Sequence, residues 1–149
     1  MENIIVHGRD TSLNLTFVDA FHPSELNIKA EHWYYRYKLA LLDSSYEFDG
    51  WFTGKFWHLE KEEIIVFEEY INEKFNAEII KEDKDVELRL FLVDFKRNAV
   101  VKFSRLSEGR FEVIELTENR SIIYLKKKYD RIGEFEVSLD SLKFIAINN

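Results

Sequence analysis

Residues 59–76, LEKEEIIVFEEYINEKFN, decide how the rest of the chain is read. Ile64, Phe67, Ile71 and Phe75 follow one another at spacings of three, four and four, which stacks them on one face of a helix. Glu60, Glu62 and Glu63 fall in the first turn of such a helix, where negative charge favours the positive end of its dipole. Lys74 falls in the last turn, and Asn76 tolerates the left-handed conformation that often ends a helix. Glu68, Glu69 and Glu73 then cover the solvent side. The spacing predicts one long amphipathic helix over 59–76.

The flanking sequence reads as strands. Asn3 to His7 is a short apolar run, and Leu13, Leu15 and Phe17 alternate with polar residues as a half-buried strand should. After a loop near Phe21 to Glu31, EHWYYRYKLALL places Trp33, Tyr35, Tyr37, Leu39 and Leu41 on one face. A turn at Asp43 to Ser45 makes a hairpin with Tyr46 to Thr53, and Gly54 to His58 leads into the helix. Glu78 to Lys81 reads as a short strand. VELRLFLVDF carries apolar residues on both faces, the pattern of a strand covered on both sides. Four further runs follow, at Ala99 to Leu106, Phe111 to Leu116, Ser121 to Tyr129 and around Phe135, Val137 and Leu139. Asp140 or Ser141 is placed to cap a short terminal helix, SLKFIAINN. A run of hairpins broken once by a helix implies an α+β fold: one domain over 1–149, mostly antiparallel sheet, the 59–76 helix packed on it. A β-barrel closed around that helix is the alternative.

Composition narrows the function. The chain has 149 residues, no cysteine, one proline and 23 aromatic residues (13 Phe, 7 Tyr, 3 Trp), so disulfide, thiolate-metal and thiol chemistry are excluded. No run approaches the ~18 apolar residues of a membrane span, and MENIIVHGRD has no signal-peptide core. These features point to a cytoplasmic protein. The net charge of −7 is concentrated: residues 60–87 hold 11 acids and 4 lysines, while acids and bases cancel elsewhere. Such a stretch repels nucleic acid and attracts basic partners.

No catalytic pattern emerges. No serine sits in G-x-S-x-G, and the five glycines form no phosphate loop. His22, Glu25 and His32 share one loop region without metal-ligand spacing. Lys126, Lys127 and Lys128 are the one basic run, and they suit an edge strand protected from aggregation. The expectation is a protein that is no enzyme and needs no cofactor or metal.

The order of several segments resembles the WapI-type immunity family and a related uncharacterised bacterial family. The segments are WYYRYKLAL, DGWFTGKFW, LEKEEIIVFEEYI, VELRLFLVDFKRNAVVKFSRL and FEVSLDSLKFIAIN, spanning roughly Trp33 to Ile147. In these families the turn after the aspartate usually carries Gly, where this chain has Asn98, a residue that tolerates the same backbone. The resemblance implies a cytoplasmic bacterial immunity protein that neutralises a polymorphic or contact-dependent toxin domain by direct protein–protein interaction. A basic nuclease cleft would meet Glu62, Glu69 and Glu73 on the helix and Glu82, Asp83 and Asp85 after it. Trp51 or Trp57 would supply the apolar anchor. The competing reading is a small-ligand-binding domain or enzyme using an aromatic concave sheet surface.

Overall fold

A computed structural model describes residues 3–22, 33–60, 63–76, 78–82, 85–103, 110–128 and 131–147. The fold is built from antiparallel strands: β1 (Ile4–His7), β2 (Ser12–Phe21), β3 (Tyr34–Leu41), β4 (Trp51–Leu59), β5 (Ile64–Tyr70), β6 (Leu88–Asp94), β7 (Ala99–Phe103), β8 (Arg110–Leu116), β9 (Ser121–Lys128), β10 (Arg131–Ser138) and β11 (Ile145–Ala146). Eight of them form one sheet in the order β1-β2-β3-β4-β5-β6-β7-β11, and the other three form a second, β10-β9-β8. Among the described residues no helix reaches seven residues, so the fold is nearly all antiparallel sheet and the α+β expectation is corrected.

The correction centres on 59–76. Leu59 ends β4, the chain reverses direction after Glu60, and Ile64–Tyr70 is β5, all seven of whose side chains are buried. Glu60 takes a left-handed φ of 48°, and the Glu63 N–H closes the turn on the Glu60 carbonyl at 3.0 Å. Ile64 and Phe67, expected on one helical face, lie on opposite faces of the sheet. The physical reason lies in the run itself. Ile64, Ile65 and Val66 are β-branched and are followed by Phe67 and Tyr70, which favour a pleated, packed strand. A short run buried on both faces satisfies helical and strand spacing alike, so periodicity cannot separate them.

Other expectations shift by smaller amounts. The terminal helix is replaced by a single 3-10 turn, Leu139–Ser141, and then β11, which pairs with β7. Glu78 to Lys81 is part of a turn capped by Asn76, whose Oδ1 accepts the N–H groups of Glu78 and Ile79 at 3.0 and 3.1 Å. The β3–β4 hairpin forms, but β4 runs from Trp51 to Leu59, through the stretch read as leading into the helix. The lysine run sits on β9, the middle strand of the small sheet, not on an edge. The strand read as covered on both sides is β6: Leu90 and Leu92 belong to one core, Phe91 and Val93 to the other.

Those two cores occupy the two faces of the large sheet. One lies between the sheets, where Leu90 and Leu92 meet Phe111, Ile122 and Tyr124. The other is enclosed because the large sheet curls, bringing Leu13, Leu15 and Leu39 over Phe67 and Phe91. Irregularities in β2 between Phe17 and Asp19, and in β4 between Phe52 and Phe56, supply the bends. Gly8 permits a close approach, since a Cβ there would lie 2.5 Å from Cζ of Phe95. Beside it Arg9 donates to Glu63 Oε1 at 2.6 Å. Among the described residues the sheet stays open, with β1 and β11 at its margins, and no barrel closes around a helix.

Candidate binding surface

The structure places the expected site residues in different surroundings. Trp51 is half-buried, and its neighbours are cations: Arg36 Cζ and Lys38 Nζ lie 4.3 and 4.4 Å from its ring centroid. Arg36 is itself held by Asp19, donating from Nε to Oδ1 at 2.6 Å, and this hydrogen bond keeps the Asp19 carboxyl below its usual range. Trp57 is also half-buried, with Lys55 Nζ 5.3 Å from its ring centroid. Glu73 is exposed and Glu82 half-buried. Asp85 is a turn cap whose Oδ2 accepts the N–H groups of Lys81 and Glu82, each at 3.0 Å. Glu62 and Asp83 lie outside the described residues, as do Glu25 and His32.

Glu69 was expected on the solvent side and is fully buried. Arg89, directly across the ladder, donates from Nε to its Oε1 at 2.5 Å, and Lys102 Nζ lies 3.2 Å from Oε2. That second contact is an ion pair without hydrogen-bond alignment, so Oε2 accepts no hydrogen bond. Gly50, at φ 100°, packs against the same oxygen, and any side chain there would collide with it. Glu68 is buried on the opposite face. Its Oε1 accepts from Thr53 Oγ1 and its Oε2 from the Phe111 N–H, both at 2.9 Å, while Lys55 Nζ donates to the Phe111 carbonyl at 2.9 Å. The pair Glu68 and Lys55 thus ties the large sheet to the edge of β8. Glu60 is paired with Arg120 and Glu63 with Arg9. Summed charge along the chain overstated the acidic surface, because strand period sends Glu68 and Glu69 inward on both sides.

An acidic surface does exist, elsewhere. Phe111, Val113, Ile122, Tyr124 and Val137 point from the small sheet into the core, so the alternate residues face outward. The ladder aligns them in rows: Glu112, Leu125 and Glu134 in one, Glu115, Ile123 and Glu136 in the next. A third row holds Arg110, Lys127 and Ile132. An irregularity between Val113 and Glu115 keeps Glu115 on the outer side while Leu116 turns to the core. Lys127 Nζ sits 2.7 Å from Glu112 Oε2, and its hydrogen bond holds that carboxyl below the usual range. Glu115, Glu134 and Glu136 have no ion-pair partner among the described residues. Two half-buried aliphatic side chains are therefore flanked on both sides by carboxylates.

Sequence reasoning missed this surface because acids and bases outside 60–87 cancel in number. The available signal was local: in RFEVIEL and RIGEFEV, glutamates alternate with core residues, which marks the solvent face of each strand as acidic. Many of the aromatic residues make core pairs such as Phe52–Phe67 and Phe48–Phe91. Among the described residues no cluster of three His, Asp or Glu side chains is placed to hold a metal ion, and no helix is long and apolar enough to cross a membrane. The class defined by the structure is an all-β protein of two packed antiparallel sheets. No protein-family model, curated protein or solved structure matches the chain.

Proposed function

We propose that this chain is a non-catalytic, cytoplasmic immunity protein that neutralises a basic toxin domain by binding it through the outer face of the small sheet. The observation that carries this reading is the pair of rows Glu112–Leu125–Glu134 and Glu115–Ile123–Glu136. An aliphatic centre with an acidic rim suits a basic surface, the carboxylates speeding encounter and the buried apolar contact setting residence time. The class of partner comes from the resemblance described above. Of its segments, LEKEEIIVFEEYI is β5 with the end of β4 in place of a helix, and VELRLFLVDFKRNAVVKFSRL contains β6, a turn and β7. At that turn Asn98 has φ 50°, the left-handed conformation that the usual glycine would take.

The test is association kinetics with a basic toxin domain of the kind proposed as partner. Reversing Glu115, Glu134 and Glu136 to Lys should lower the association rate about tenfold at low salt and flatten its salt dependence, with the melting temperature kept. Reversing Glu73 and Glu78, exposed acids of the 60–87 stretch, should leave the rate unchanged. The opposite pattern would move the interface to the stretch first read from the sequence.

A further inference from the structure

We infer that β10 is a docking edge, taking one extended basic segment of the partner as a fourth strand of the small sheet; this deepens the binding role proposed above and rests on it. Folded proteins shorten or cover the edges of their sheets. Here β1 has four residues and β11 two, and the β8 edge has both backbone groups of Phe111 occupied by Glu68 and Lys55. β10 is the exception: it has eight residues and, among the described residues, no strand on its outer side. Ile132 on it is 64% exposed and Phe135 36%.

The phase of the ladder says which groups are free. The Leu139 N–H bonds the Arg120 carbonyl at 2.9 Å, and antiparallel pairs alternate between bonded and non-bonded. Gly133, Phe135 and Val137 therefore bond inward to β9, while Ile132, Glu134 and Glu136 direct their N–H and C=O groups outward. The same three residues carry side chains on the acidic face. A strand added at this edge thus places its residues opposite Glu134 and Glu136 beside two carboxylates, where Lys or Arg fits. Its intervening residues fall on the inner side, where an apolar side chain covers the open part of the Phe135 ring, itself stacked on Tyr124 at 5.5 Å.

A second copy of the chain fits this edge poorly. Two-fold antiparallel pairing must keep outward residues opposite outward residues. The two registers that use the whole strand set Glu134 against Glu134, or Glu134 against Glu136, and like charges directly opposite destabilise a ladder. The occupant is a basic strand from another protein.

The experiment needs no toxin, so it separates this inference from the proposed function. The chain is titrated with a synthetic octapeptide of alternating Lys and Val, and with its Glu/Val counterpart, while amide hydrogen exchange is followed by NMR. The Lys/Val peptide should slow exchange at Ile132, Glu134 and Glu136 by about tenfold and the Glu/Val peptide should not. Glu134→Pro, which removes an outward N–H and spares the β9 ladder, should abolish that slowing. If that variant unfolds, the double change Glu134→Gln with Glu136→Gln should weaken binding of the Lys/Val peptide about tenfold instead. Equal binding of both peptides, slowing at other strands, or self-association that protects the same three amides would each overturn the inference. Peptide docking at β10 in a chain that fails to neutralise the toxin would sink the immunity reading and leave the edge standing.

Discussion

Phe67→Ala should lower the unfolding free energy by about 3–5 kcal/mol, measured by urea denaturation. The ring is fully buried in the middle of β5 and stands between Phe56 on β4 and Phe91 on β6 in the ladder. It packs edge-on against Phe52 at 6.1 Å and tilted against Phe56 at 6.0 Å. A cavity there has little means of collapse, because hydrogen-bonded strands on both sides fix the backbone spacing and the curl of β1–β3 closes the face above. Glu73→Ala, on an exposed side chain, serves as the reference and should change stability by less than about 0.5 kcal/mol. A loss below about 1 kcal/mol for Phe67→Ala would mean that the second core is not closed over that ring.

The second large effect belongs to Glu68. Its carboxylate satisfies the Thr53 hydroxyl and the Phe111 N–H at once, across the two sheets. Glu68→Ala leaves that N–H buried without an acceptor and removes two charge-assisted bonds, so a loss of about 3 kcal/mol is expected. Glu68→Gln should restore most of this. Its carbonyl oxygen accepts from Phe111 and its amide donates to the Thr53 oxygen, because a hydroxyl serves in either role. Urea denaturation of the two variants, with exchange at the Phe111 amide, checks the assignment. Equal losses for Ala and Gln would show that the bonds from Glu68 do not hold the sheets together.

The strands with clear alternation were legible from residues alone. Leu13, Leu15 and Phe17 on β2, and the two-faced pattern of β6, follow from side chains whose burial repeats every second residue. β5 was not legible in the same way. Its seven residues are all buried, so the run carries no contrast between faces, and the glutamates at 68 and 69 imitate the polar side of a helix. Only the tertiary partners Arg89, Lys102, Thr53 and the Phe111 backbone make those two acids tolerable inside, and none of them is near in sequence. The binding surface was hidden for a related reason. Glu112, Glu115, Glu134 and Glu136 come together only through the β8–β9–β10 register, while the acids at 60, 63, 68, 69 and 85 are drawn into ion pairs, cores or turns.

The proposed function puts partner recognition on the outer face of the small sheet. A hydrogen-exchange footprint of the chain bound to a basic toxin domain tests that placement most directly. Protection added on binding is expected across residues 110–127 and 131–138, strongest along β10, with the loops between β4 and β6 unchanged. Protection confined to the segments around Glu73 and Glu82, with β8 to β10 exchanging as in the free chain, would contradict it.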